Sequence, residues 1–415
     1  MKNEITSFIL KTATVLVTLT VVTGAFAATE KELYSFNANS KRGIYPYAAV
    51  IADPAGNLYG TTLFGGAFGD GEVFELVKPT GKGAWTQTIL YSFENNGTDG
   101  YRPYASLVMD GNGNLFGTTN EGGSYGWGAV FELAPQPGGG WTETILHSFN
   151  RNGTDGTYPY AGLILDGSGD LYGTTSSGGA NGVGTVFELV LTSGVYTENI
   201  LYSFKANGED GNEPFSCPIF DAAGNLYGTT TNGGVFGGGT VFELTSTGGS
   251  WTENTLYSFN ASDGDPYTPY ADLIFDGDGN LYGTTLNGGA GYGAVFELTP
   301  QAGGNGWTET TLHSFNDNGK DGTTSYGGVV FDSVGNLYGD TMSGGSNGKG
   351  VVFELVKPTG KKGWTEKILH SFNANEKGTD GEVPRAGLFS YAGSFYGTTS
   401  EGGRLGGGTV FEVVP

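Results

Sequence analysis

Cysteine is almost absent from this chain of 415 residues. Cys217 stands alone, so no internal disulfide can form, and stability has to come from packing. Positive charge is scarce as well. The 19 lysines and arginines face 42 aspartates and glutamates, for a net charge of −23. That balance sets the chain against nucleic-acid backbones and anionic lipid surfaces, and it favours solubility and cations. Glycine is abundant, at 77 residues, but follows no Gly-X-Y period, which excludes a collagen helix. Aromatic residues make up 13% of the chain, too many for a disordered segment, because rings need burial or a ligand.

One apolar run stands out, at the N-terminus. Lys2 and Lys11 flank a polar start, "TATVLVTLTVVTG" follows, and Ala25-Phe26-Ala27 has the pattern of a cleavage site. Residues 1–28 are expected to be an export signal, with the mature chain starting near Ala28 or Thr29 in the extracellular or periplasmic space. The run is interrupted and short for a membrane span, and no second one follows. An uncleaved anchor is the alternative. A monomer without a membrane span is the expectation for the mature protein.

The remainder is a repeat. The aromatic residue of "LYGTT" recurs at Tyr59, Phe116, Tyr172, Tyr227, Tyr282, Tyr338 and Tyr396, spaced by 57, 56, 55, 55, 56 and 58 residues. Each period holds four strand-like pieces, in the third "YAGLILD", "DLYGTTS", "GTVFELV" and "VYTENILYSF", parted by Gly, Asp and Ser turn signals. Seven units of four strands predict an all-β, seven-bladed propeller spanning residues 29–415 as a single domain. The chain ends support closure. "KELYSF" near the start matches a fourth strand, while the last piece, "GTVFEVV", matches a third. Pairing the two completes the last blade and removes an exposed edge. The inner piece, apolar on both faces, is expected to be a full strand sandwiched between blades.

The long motif "GNLYGTT..GG..G.GTVFEL", with "WTE..L.SF" between copies, resembles the Gloeobacter–Verrucomicrobia repeat of the choice-of-anchor tandem-repeat proteins of bacterial surfaces. The resemblance covers nearly the whole mature chain. It implies a surface or exported protein, and it supplies no catalytic residues, because the family has no established activity. Members often end in a sorting anchor, whereas this chain stops at Pro415 directly after the last strand-like piece.

Residues present in every copy read as scaffold, and a site for one ligand is sought where the repeat is broken. His147, His313 and His370 share the "LHSF" slot with Tyr34, Tyr91, Tyr202 and Tyr257, spread around the ring, so neither a His-based metal site nor a Ser-His-Asp triad is expected. The once-per-blade glutamates of "VFEL" read as cross-strand partners, with the "WTE" threonines as candidates. No catalytic set emerges. The loops entering the inner strands are acidic, with Asp99, Asp155, Asp210, Asp263, Asp265, Asp321 and Asp380, and read as Asx-turns. Ca²⁺ is a weak alternative: Asp317, Gly319 and Asp321 touch a calcium-loop pattern without its terminal Glu. No other cofactor is expected.

The five arginines are the sharper signal. Arg42, Arg102, Arg151, Arg385 and Arg404 all fall in top-face segments of blades 7, 1, 2 and 3, together with Tyr45, Tyr101, Tyr125, Trp127 and Tyr158. Arg binds carboxylates in a bidentate fork, and flat rings stack on sugar faces. Arginines paired with loop aspartates are the competing account. Two further breaks lie in the inner pieces and beyond. Asp272 occupies a slot held by Ala49, Ser106, Gly162, Cys217, Gly328 and Gly387, and is expected in the channel, while Asp340 replaces the first Thr of "GTT". Cys217 reads as a small buried filler. The leading function is therefore non-catalytic binding of a saccharide, an acidic one on the arginine evidence. Its candidate residues are Arg42, Arg102, Arg151, Arg385, Arg404, Tyr101, Tyr125, Trp127, Asp99, Asp155 and Asp272. A polysaccharide hydrolase or lyase and a structural surface module are the alternatives.

Overall fold

The computed structural model describes residues 28–262, 264–304, 306–360, 363–373 and 380–415. Residues 1–27 of the expected export signal lie outside the described residues, as does Asp263. Among the described residues every regular element is a strand. Blade 3 shows the plan: Ile164–Leu165, Leu171–Thr175, Thr185–Thr192 and Val195–Ser203 pair antiparallel in chain order, from the channel outward. Seven such blades form a propeller. Thr29–Asn37 pairs with Gly406–Val414 and supplies the outer strand of blade 7. Thr398 Oγ1 then donates to Ala48 O at 3.0 Å, tying blade 7 to blade 1.

The innermost strands are shorter than the sequence pattern predicts. In "YAGLILD" only Ile164–Leu165 enters the ladder. The upper half turns its carbonyls to the preceding blade instead, where Thr118 Oγ1 donates to Ala161 O at 2.8 Å. The same bond recurs from Thr61 to Ala105, Thr174 to Ser216, Thr229 to Ala271 and Thr284 to Gly327. The first Thr of "GTT" is thus a strap between blades.

Packing follows from stacking blades against both faces of each sheet. The Phe that ends an outer strand meets the "VFEL" Phe of the next blade edge-to-face: Phe149 and Phe187 lie 5.2 Å apart, both fully buried. All seven seams carry this pair, from Phe36–Phe74 to Phe372–Phe411. Each is worth about 0.5–1.5 kcal/mol beyond its burial. The "VFEL" ring lies flat on the strand beside it, which explains the glycine of "LYGTT". A Cβ on Gly173 would sit 2.6 Å from Phe187 Cζ.

The "VFEL" glutamates find a different partner from the one expected. Glu75, Glu188, Glu243, Glu297 and Glu412 accept from the "LYGTT" tyrosines across the sheet, as in Tyr172–Glu188 and Tyr227–Glu243 at 2.6 Å, rather than from the threonines, whereas Glu132 faces Phe116 and Glu354 accepts from Asn336 and Lys367.

Six of the seven seams are closed at the outer rim by three side chains from two blades. Tyr91 OH and the Glu94 amide both donate to Asp99 Oδ2 at 2.9 Å, and Glu143 of the next blade lies beside them. Asp99 Oδ1 and Glu143 Oε1 are buried without a donor. Burial, reinforced by the Asp99 charge, pushes Glu143 up to about 7. Glu253 beside Asp210 and Glu309 beside Asp265 are pushed up to about 7 as well, again mainly by burial. A shared proton settles two facing carboxylates in a site that cannot hold both charges. The seam between blades 7 and 1 differs: Arg42 and Gln87 stand there, joined at 3.4 Å, and Tyr34 OH donates to Gln87 Oε1 at 2.9 Å.

Candidate functional site at the channel mouth

The entry loops arrive at the channel through a strained residue. Tyr45, Arg102, Tyr158, Glu213, Thr268, Thr324 and Val383 all have φ near +60°, once per blade. Such positions cost on the order of 1–3 kcal/mol each and persist only where the surroundings hold them. Here two backbone bonds do so: Arg102 N–H donates to Asp70 O at 3.0 Å, and Asn120 N–H donates to Arg102 O at 3.1 Å. The bend aims the residue two places later into the channel.

That later residue is aromatic in six blades: Tyr47, Tyr104, Tyr160, Phe215, Tyr270 and Tyr326. Successive rings touch, with centroids 5.7, 5.1, 5.0, 4.8 and 5.2 Å apart. Arg385 fills the seventh place. Its guanidinium lies 5.3 Å from the Tyr326 centroid and 5.0 Å from that of Tyr47, closing the circle by cation–π contact. Its Nε is buried and has no acceptor. The circle rims a cavity of about 290 Å³, near the lower bound of about 300–1,000 Å³ for small-molecule sites.

Among the described residues Asp272 is the single carboxylate lining this cavity. It lies on the channel wall, open to channel water yet surrounded by protein, and accepts from the Cys217 amide of blade 4 at 2.6 Å. Burial pushes it up to about 6, and the amide bond opposes the rise. Cys217 is buried, its thiol pushed up by burial, in keeping with a filler.

Arg385 belongs to a larger break at the seam of blades 6 and 7. Asp340 stands where other blades carry the strap threonine, fully buried, with neither oxygen in a full hydrogen bond. A carboxylate cannot donate to a carbonyl as Thr does. Opposite it, Gly387 has φ +71°, unlike Gly162 and Gly328 in the same slot, and its amide eases the Asp340 charge. Burial still pushes Asp340 up to about 7. The altered strap thus faces the segment that carries the altered ring member, since Gly387 follows Arg385 by two residues.

The other arginines are distributed rather than gathered at the mouth. Arg102 pairs with Glu121 on the rim and lies 5.6 Å from the Phe64 ring centroid and 5.9 Å from that of Tyr101. Arg151 packs over Trp127 at 5.1 Å, beside Tyr158, where a second cavity of about 530 Å³ opens. Tyr125 is 57% exposed. Arg42 belongs to a seam, and Arg404 lies by Glu32 of the closing strand. Asp99 and Asp155 face inward, bound to Tyr91 and His147, and Asp321 turns from its loop to His313 and Asn316. The Asx-turns expected of the acids are made by asparagines three residues earlier, such as Asn96 accepting from the Thr98 and Asp99 amides. The three histidines do not meet one another, but each gathers two carboxylates, as in His147 with Asp155 and Glu198.

The aromatic ring went unread in the sequence, although "YPYAAV", "RPYASL" and "VPRAGL" hold the signal once aligned in register.

By sequence, residues 11–216, 107–315 and 191–411 match the Gloeobacter/Verrucomicrobia repeat in overlapping stretches. The chain belongs to that family. Curated proteins give no sequence match. Among solved structures, a PL25 ulvan lyase is similar over 92% of this chain and 95% of its own, with TM-score 0.55 and 11% identity. An ancestral GH74 enzyme is similar over 90% of this chain, with TM-score 0.56 and 12% identity. The extracellular domain of a hybrid two-component system from B. thetaiotaomicron is similar over 92%, with TM-score 0.53 and 12% identity. This repeat protein spans only 39% of that last chain and 48% of the GH74 enzyme, and all three likenesses concern the fold. No helix among the described residues is long and apolar enough to cross a membrane.

Proposed function

We propose that this protein is an exported binding protein that holds an acidic saccharide at the mouth of its channel. The observation that carries the reading is the ring of six aromatics interrupted once, by Arg385, whose Nε is buried and unpaired. Rings stack on sugar faces, and a desolvated guanidinium selects a carboxylate or sulfate. Arg102, Tyr101, Arg151, Trp127 and Tyr125 extend the surface over the rim, where a longer polymer would run. The similarity to a lyase also solved bound to -[GlcA(1-4)Rha3S]- supports this choice of ligand class. The test is calorimetric titration with glucuronate-containing oligosaccharides, using Arg385→Tyr, which makes the ring uniform. Loss of one charged hydrogen bond, about 1.5–3 kcal/mol, should weaken binding about 10- to 100-fold. Equal binding by the variant would remove the site.

A second reading, a lyase, rests on Asp272 as the base and Arg385 as the group that neutralises the uronate. Hydrolysis is less well supported, since it calls for two carboxylates and the cavity wall supplies one. The Tyr104, Tyr160 and Tyr270 hydroxyls are pushed up by burial and stay protonated, so they are not bases. Appearance of an ultraviolet-absorbing unsaturated product, abolished by Asp272→Asn, would establish the lyase over the binder.

A further inference from the structure

Seven equivalent seams make an internal comparison. At three of them the tyrosine is replaced by histidine. His147 Nε2 lies 3.2 Å from Asp155 Oδ2 and 3.5 Å from Glu198 Oε1. His313 Nε2 lies 3.3 Å from Asp321 Oδ2 and 3.5 Å from Glu366 Oε1. At the third, His370 Nε2 is 3.1 Å from Asp380 Oδ2, with Glu30 of the closing strand completing the set. In each cluster the three donor atoms lie within 4.8 Å of one another.

We infer that these three seams are binding sites for a divalent transition cation of the zinc class, each clamping two adjacent blades. The spacing fits. Ligands about 2.0–2.2 Å from a tetrahedral ion lie about 3.3–3.6 Å from one another, close to the nitrogen–oxygen separations at the His147 and His313 seams and to the His370–Asp380 separation. The electronics fit as well. Asp155 is only 6% exposed and keeps Oδ1 without a donor, while Glu198 Oε1 and Glu366 Oε1 are buried and equally unsatisfied. Buried lone pairs that face one another are settled by a shared proton or by a positive group between them, and the imidazole beside them favours the second. At the tyrosine seams the hydroxyl supplies a proton, donating to Asp99, Asp210 and Asp265 at 2.9, 2.7 and 3.0 Å. Neutral imidazole supplies a lone pair instead, so the exchange of Tyr for His adds a ligand where the other seams have a donor.

The supporting contacts hold the ligands in place. The Asn150 amide donates to Asp155 Oδ2 at 2.8 Å, and the Asn316 and Asn373 amides do the same for Asp321 and Asp380. Each imidazole is set edge-to-face on the seam phenylalanine, 4.8–5.1 Å away. One imidazole with two carboxylates suits Zn²⁺, Co²⁺ or Mn²⁺ better than Ca²⁺, which takes six to eight oxygens. The clamped seams are those between blades 2 and 3, 5 and 6, and 6 and 7, so blade 6 is held on both sides. This inference is independent of the saccharide site.

The experiment titrates the chelator-treated full chain with Zn²⁺ by calorimetry, and with Co²⁺ by visible absorption. Up to three ions should bind per chain, the cobalt bands should report nitrogen–oxygen ligation, and the melting temperature should rise with added metal. The triple variant His147→Tyr, His313→Tyr, His370→Tyr installs the residue that the same slot carries at the other four seams. It should lose the bands, the stoichiometric sites and the thermal shift together. Absence of stoichiometric binding by the native chain, whatever the variant does, overturns the inference in favour of histidinium–carboxylate pairing alone. Undiminished binding by a folded triple variant overturns it in favour of diffuse binding to the acidic surface.

Discussion

The seams and the channel mouth are both built sevenfold, and they differ in how the repetition is used. At the seams the Phe pair is the same in every blade, because each blade must offer its neighbour the same face. At the mouth the backbone is just as regular, with a φ near +60° in every blade, but the residues it displays range from Tyr and Arg to Glu and Val. Packing constrains chemistry at the first place and only geometry at the second. Function in such a ring is therefore legible in the exceptions to the register: Arg385 among six aromatics, Asp272 among small residues, Asp340 among threonines.

The contrast can be broken most severely at a seam. Gly173→Ala drives a Cβ into the Phe187 ring, and overpacking of this kind costs about 1–3 kcal/mol. Thermal denaturation should show a clear loss of stability, with saccharide binding unchanged in the protein that remains folded. Arg385→Tyr should do the reverse: a 10- to 100-fold loss of acidic-saccharide binding, for about 1.5–3 kcal/mol, and little change in melting. Asp340→Thr should restore a strap and remove a buried acid. Because Asp340 is pushed up to about 7, the folded chain holds a proton there that the unfolded chain has released above about 4. Stability contributed by the protonated acid is thus lost as pH rises from about 4 to about 7, and the Thr variant should be the more stable protein at pH 8. The smallest effect concerns the tyrosine seams. Glu143, Glu253 and Glu309, all raised to about 7, also make stability fall between about 4.5 and 7. Replacing all three by Gln should flatten that part of the melting-temperature profile. A profile of unchanged slope would show that these carboxyls are not proton-sharing.

Blade number, strand order and the completing N-terminal strand were all legible in the sequence, because local patterns repeat with a constant period. The site was legible only in part. Arg385 was visible as an arginine, but its meaning comes from Tyr47 and Tyr326, one blade away on either side. Asp99 and Asp155 looked like rim ligands because nothing in a loop reveals that its carboxylate turns inward to a strand already passed. The Asp155–Glu198 contact was hidden for a related reason: its two halves belong to different repeats. The short inner strands were missed because apolar patterning reports burial, and channel-lining backbone strapped by threonine is buried without being paired.

The pairing of Thr29–Asn37 with Gly406–Val414 has a consequence for biogenesis. Thr29–Asn37 is made before the rest of the ring, and its edge waits unpaired until Gly406–Val414 has been synthesised. Among the described residues no other strand pairing spans so much of the chain, so this docking carries the largest loop-closure cost and is expected to be slow. A circular permutant cut between blades and joined at the present termini would hold all four strands of blade 7 together from the start, and should reach its native form sooner.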